Sequence, residues 1–230
     1  MERLNPDRIQ QLRQWGVRLN LSFGGFDDNI CPLDPKSKHR MGELITQAIK
    51  INPSSIIIDH FRFAGHWEVA DQSFKNPHLD CLYCQGKNRG RELAELAKWV
   101  RSQVPRSIEL GYYAVPFNSE QITVIGQSHQ FLGNVFDFIS PMVYQRMIKK
   151  PIGYIHEFTQ YLFDLTGKHV VPAIAVKDMP DNLPDGIDAP VLRQEYNQAT
   201  RLPSTGVCWF SWDGAIEKHK IDIIKRLWAS

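Results

Sequence analysis

Short apolar runs alternate with helically spaced apolar positions along the whole chain. VRLNLSF (from Val17), SIIIDHF, IELGYYAVPF, FDFISPMVY, HVVPAIAV and GVCWFSW read as six strands, each a brief, nearly continuous apolar run. Between them, apolar residues recur at three- and four-residue intervals. Met41, Leu44, Ile45, Ala48 and Ile49 predict one helix, and Leu93, Leu96, Ala97, Val100 and Val104 another. A helical stretch follows around Gln121 to Leu132, then a helix carrying Ile155, Phe158, Leu162 and Leu165. Further helices run from about Ala189 to Thr200 and, closing the chain, through Ile216, Ile223, Ile224 and Leu227. One unpaired helix, Pro6 to Trp15, precedes the first strand. Apolar strands separated by amphipathic helices imply an α/β fold, a parallel sheet covered by helices.

Such strands form an open doubly wound sheet or a barrel. A dinucleotide-binding sheet needs a G-x-G-x-x-G turn after an early strand, and only Gly24-Gly25 stands there. A barrel instead puts its chemistry just past the C-terminal strand ends. There the polar and aromatic residues fall: Asp27 and Asp28, then Asp59 to Glu68, Pro116 and Phe117, Tyr144 and Gln145, Asp178, and Trp212 with Asp213. The expectation is a (β/α) TIM-type barrel with about six βα units visible, a single domain over residues 1–230. A loop insertion, residues 64–90, carries a CxxC.

Composition narrows the partners. With 43% hydrophobic and 11% aromatic residues, the chain can fill a core of this size. Its 27 basic and 25 acidic residues nearly balance, and no Lys/Arg block tracks phosphates, so nucleic acid is not an expected partner. No run approaches the ~20 apolar residues of a membrane helix, and the start has no signal-peptide core. No membrane partner is expected, and the location by default is cytoplasmic.

Three segments carry a resemblance. CPLDP (Cys31 to Pro35) is similar to a C-P-x-[ND]-P loop, IIIDHFRF to an apolar-strand-D-x-x-R-F signature, and Gly126-Gln127 with FDFISPMVY to a G-Q…D-x-[IV]-x-P-M-x-Y signature. In this order, from about Val17 to Trp212, and with a CxxC at Cys81 and Cys84, they resemble the bacterial glycoside-hydrolase-like TIM barrels. The resemblance implies a carbohydrate bound at the C-terminal rim, hydrolysis of a glycosidic bond, and no cofactor. In that family two more strands precede the C-P-x-[ND]-P strand, and an extra cysteine often accompanies the CxxC. Six strands alone leave two open edges. Either the chain is a truncated product, or termini or a second copy in a homo-oligomer cover those edges. The alternative function is a catalytically inactive glycan-binding barrel or a fragment.

Asp59 is the first candidate for a catalytic carboxylate. It shares strand parity with Ile57 and Phe61, and an unpaired carboxylate facing the apolar helix layer would be costly, so it should point into the barrel mouth. Glu68 is the first choice for the partner acid. Arg62 can bind a sugar or hold Asp59 ionised. Tyr144, Trp67 and Trp212 offer flat faces for sugar rings, with His66 beside them. Asp178 and Asp213 compete with Glu68, though Asp213 reads also as a helix N-cap and Asp178 as a turn former. Asp137, at the start of its strand, reads as structural. His60, of opposite parity to Asp59, reads as a core histidine, and Trp209 as packing.

Of the four cysteines, Cys81 and Cys84 make the only metal-like spacing. His78 and His66 could complete a set, but a structural zinc site usually draws on a second Cys or His pair. Reduced thiols with no metal are the first expectation, with a zinc site or a disulfide-like loop clip as the alternatives. Cys31 and Cys208 are expected to be buried small apolar groups.

Overall fold

The computed structural model describes residues 6–14, 18–26, 30–68, 73–177 and 186–229. In chain order these form α1 (Pro6–Gln14), β1 (Asn20–Gly24), α2 (Pro35–Lys50), β2 (Ser55–Asp59), β3 (His66–Glu68), β4 (Ser73–Lys75), α3 (Arg89–Gln103) and β5 (Glu109–Ala114). Then come α4 (Ser119–Ile125), α5 (His129–Gly133), β6 (Phe138–Pro141), α6 (Tyr154–Thr166), β7 (His169–Val170) and β8 (Ala173–Ala175). α7 (Ala189–Ala199), β9 (Cys208–Phe210), α8 (Trp212–Glu217) and α9 (Ile221–Trp228) complete the series. Among the described residues, no helix is long and apolar enough to cross a membrane.

The chain divides into two compact units. The first comprises Met1–Tyr113 and Phe117–Asp137. Here β1 pairs parallel with β2, from Asn20↔Ser55 to Gly24↔Asp59, and β2 pairs parallel with β5, from Ser55↔Glu109 to Ile58↔Tyr112. Ile56, Ile57 and Ile58 are all buried, as a central strand covered on both faces requires. The second motif-like segment thus builds a wall, and its aspartate is the last strand residue.

Local chemistry sets the helices. Asp34 accepts a hydrogen bond from the Lys36 N–H at 2.9 Å and Pro35 opens α2, so the D-P of CPLDP is a helix start. The apolar stripe Met41, Ile45 and Ala48 is buried, as is Leu93, Leu96, Ala97 and Val100 on α3, which Asn88 caps. Arg101, at the end of α3, holds Asp137 at 2.7 Å and the carbonyls of Val104 and Pro105 at 2.8 and 2.9 Å. Asp137 also accepts from the Leu110 N–H at 2.8 Å, which gives it the structural role its strand-start position suggested. The helical stretch expected around Gln121 to Leu132 is two helices. Gly126 ends α4 in a left-handed conformation (φ 68°), and Gln127 leaves the helix with its side chain fully buried. Its amide donates to the Tyr113 carbonyl at 2.9 Å and approaches the Phe61 carbonyl at 3.4 Å.

The second unit comprises Ala114–Pro116 and Phe138–Ser230. β6 pairs parallel with β7 (Phe138↔His169, Ile139↔Val170), and β8 with β9 (Ala173↔Cys208 to Ala175↔Phe210). HVVPAIAV is not one strand: Pro172, lacking an N–H, separates β7 from β8. Ile155, Phe158 and Leu162 bury one face of α6, which ends at Gly167 (φ 65°). The closing helix is also two, parted around His219 (φ 53°). Ile224 and Leu227 of α9 are buried, but Ile216 of α8 is 54% exposed, off the stripe expected for it.

Candidate functional site

Asp59 ends β2 with its side chain 31% exposed, so its carboxylate stays within reach of solvent. The Gly25 N–H donates to the Asp59 carbonyl at 2.7 Å, and a Cβ on Gly25 would meet that oxygen at 3.0 Å. The glycine after β1 therefore lets the two strand ends close on each other. The Asp59 carboxylate accepts the His60 backbone N–H at 2.7 Å, and His60 Nδ1 stands 3.3 Å from the same oxygen. Partial burial works against the charge. The His60 hydrogen bonds and, more weakly, the Arg62 guanidinium outweigh it and hold the carboxyl below its ordinary value.

His60 is not the core histidine expected from parity. The strand ends at Asp59, His60 takes φ 50°, and its side chain is 44% exposed beside the carboxylate. Alternation holds only while the backbone is extended. Arg62 is half-buried, and its N–H returns to the His60 carbonyl at 2.8 Å, folding the D-x-x-R-F segment over the strand end. Phe61 and Phe63 are fully buried on either side of it.

His66, Trp67 and Glu68 form β3, which pairs antiparallel with β4 in the register His66↔Lys75, Trp67↔Phe74 and Glu68↔Ser73. The expected irregular loop thus carries a hairpin, and Glu68 sits on a strand. Asp27, Asp28 and Asp178 lie outside the described residues. Tyr144 is buried at 7% exposure and stacks on Phe210, ring centroids 5.2 Å apart. Trp212 is the first residue of α8, not a residue of the preceding strand, which stops at Phe210. The cap of α8 is Ser211, whose hydroxyl accepts from the Gly214 N–H at 3.1 Å; Asp213 lies in the first turn and is exposed. A side-chain acceptor one residue before the helix is the better-placed cap, so the N-cap expectation for Asp213 is corrected. Trp209 stacks on Tyr196 at 5.8 Å and packs against the buried Val176, Ala215 and Ile224, as packing was expected of it.

The cysteines are arranged differently from the expectation. Cys31, buried in the CPLDP turn, joins His78, Cys81 and Cys84, with one ligand atom from each within 4.8 Å of the others. Spacing along the chain gave no sign of this fourth member, because Cys31 lies after β1 and the other three in the insertion after β2. Burial drives the Cys31 thiol up to about 12. The side wall of the cluster opens on a cleft of about 550 Å³, lined by His78, Cys84, Arg89, Val124 and Phe131 among others. All of these residues belong to the first unit.

No protein-family model and no curated protein sequence matches the chain. Solved structures do. The glycoside hydrolase domain of PgaB from Bordetella bronchiseptica superposes over 98% of this chain and 79% of its own, with a TM-score of 0.71 at 12% identity. The spore cortex-lytic enzyme SleL of Bacillus cereus matches 96% of this chain with a TM-score of 0.61 at 12% identity, and the chain spans 63% of that enzyme's length. A class V chitinase from Pseudomonas fluorescens matches 93% of this chain and 84% of its own, with a TM-score of 0.60 at 11% identity. The chain therefore has the α/β, TIM-barrel-type fold of glycoside hydrolases.

Proposed function

We propose that the chain is a glycoside hydrolase acting on a poly- or oligosaccharide, with Asp59 as a catalytic carboxylate. The observation that carries this reading is the Asp59 side chain itself: at a C-terminal strand end, 31% exposed, and held ionised by His60 and Arg62. The fold shared with glycoside hydrolases supports it.

The ionisation decides the role. A carboxyl held below its ordinary range has no proton to give at neutral pH, so Asp59 acts as nucleophile or base. The general acid must be a second group, and Glu68 on β3 is the first choice. Arg62, His66 and Trp67, in the same unit as Asp59, are assigned to sugar binding. A carboxyl separation of ~5–5.5 Å would make the enzyme retaining and ~6.5–9.5 Å inverting.

The test is reducing-end release from a polysaccharide panel that includes chitin oligosaccharides and spore cortex. Asp59→Asn should abolish release while the protein still unfolds in a cooperative melting transition. Unchanged turnover in that variant removes Asp59 from the mechanism. Binding to the panel without release in the unmodified protein would instead favour the inactive glycan-binding barrel.

A further inference from the structure

We infer that Cys31, His78, Cys81 and Cys84 bind one zinc ion, a structural site that pins the insertion after β2 to the loop after β1. Four ligand atoms already stand within 4.8 Å of one another. A tetrahedral zinc with Zn–S bonds of ~2.3 Å has sulfur–sulfur edges of about 3.8 Å, so only small movements close the set around an ion.

The second observation is His78. It is 4% exposed, and its Nε2 is buried without a hydrogen-bond partner. Leaving such an atom unsatisfied is costly, and a metal bond satisfies it. Its neighbours fix the backbone that carries the ring: the His78 backbone N–H donates to Asn76 Oδ1 at 3.1 Å, and its carbonyl accepts from Arg89 Nη2 at 3.0 Å.

A cationic side chain stands beside the sulfurs. Arg89 Nη2 stands 3.8 Å from the Cys84 sulfur. Three thiolates, one neutral imidazole and a divalent zinc leave one net negative charge, which the guanidinium offsets.

The insertion also needs such a fastening. Residues 77–87 run as successive turns, and their large apolar side chains face solvent: Leu79 is 68% and Leu82 92% exposed. Burial cannot hold this segment, whereas a metal bond supplies folding free energy directly. A disulfide is the weaker alternative, since any pairing leaves one thiol of the cluster unused and His78 Nε2 still buried without a partner. Soft sulfur ligands select zinc over magnesium or calcium, and four protein ligands leave no open position for substrate or water. The site is therefore structural and stands or falls independently of the hydrolase reading.

The test is the metal content of the full chain, expressed in zinc-supplemented medium and purified without chelator. About one zinc per chain is expected, with all four thiols reduced on denaturation. Cys31→Ser and Cys84→Ser should each bind zinc at least ~10-fold more weakly in competition with a chromophoric chelator, and Cys208→Ser should match the parent. Should either ligand variant fail to fold, cobalt(II) loading of the parent chain decides. Intense thiolate-to-cobalt and tetrahedral d–d bands, abolished by added zinc, support the site. Absence of both zinc and cobalt bands, fewer than four thiols, or full zinc retention in Cys31→Ser each overturns it.

Discussion

Asp59 accepts a hydrogen bond from the backbone of the residue that follows it, His60, at 2.7 Å, and the imidazole Nδ1 of that same residue lies 3.3 Å from the same oxygen. One neighbour thus supplies both a dipole and a titratable partner to the candidate catalytic carboxylate. Its positive φ of 50° is what turns the ring back over the strand end.

A pH dependence follows. Burial alone would raise the carboxyl, but the His60 bonds and Arg62 place it below 3.8 in the folded chain. The folded state then binds fewer protons than the unfolded one in this range. The stability it contributes is present above 3.8 and is lost as pH falls through the lower, folded value. Carbon-detected NMR titration should give Asp59 a midpoint under 3.8, moving upward in His60→Ala. A midpoint above 3.8 would show instead that burial outweighs the His60 bonds.

Arg101 and Asp137 make a different prediction. The arginine side chain is 7% exposed and the carboxylate 39%, at 2.7 Å. Breaking a buried pair costs ~3–5 kcal/mol, but water can reach this carboxylate, and Arg101 keeps its carbonyl partners. Asp137→Ala should therefore cost about 1–3 kcal/mol in urea unfolding, including the bond lost by the Leu110 N–H. Turnover per folded molecule should not change.

Two glycines separate backbone strain from crowding. Gly126 and Gly167 both have positive φ, 68° and 65°. A Cβ at Gly167 meets nothing within 4 Å, so Gly167→Ala should cost about 1 kcal/mol from conformation alone. At Gly126 the Cβ would meet the Arg89 carbonyl oxygen and Phe63 Cδ2 at 2.9 Å. Gly126→Ala should lower the melting temperature several-fold more than Gly167→Ala. Equal shifts in calorimetry would show that the crowding relaxes freely.

The sequence pattern located the elements better than it located their ends. The stripes on α2 and α3 were legible because one face of each is buried, and SIIID because both faces are. Pro172 and Gly126 were visible as breakers, yet the apolar runs around them read as continuous because periodicity weighs side chains rather than N–H groups and φ. The β3–β4 hairpin was missed since three-residue strands are too short to show alternation. The strand-end position of Asp59 was legible from the apolar run that stops at it. Cys31 was not: its partners in the cluster begin at His78, and only the parallel pairing of β1 with β2 brings their following loops together. His60 misled because parity was extended one residue past the strand.

Gln127, in the G-Q pair, reaches no solvent; its amide tethers the Tyr113 carbonyl and leans toward that of Phe61. A recognisable signature in this chain is thus a piece of carpentry, fitted to keep backbone oxygens from going dry. Searching genomes with it retrieves the scaffold, and a descendant long since retired from chemistry would be retrieved alongside its working cousins.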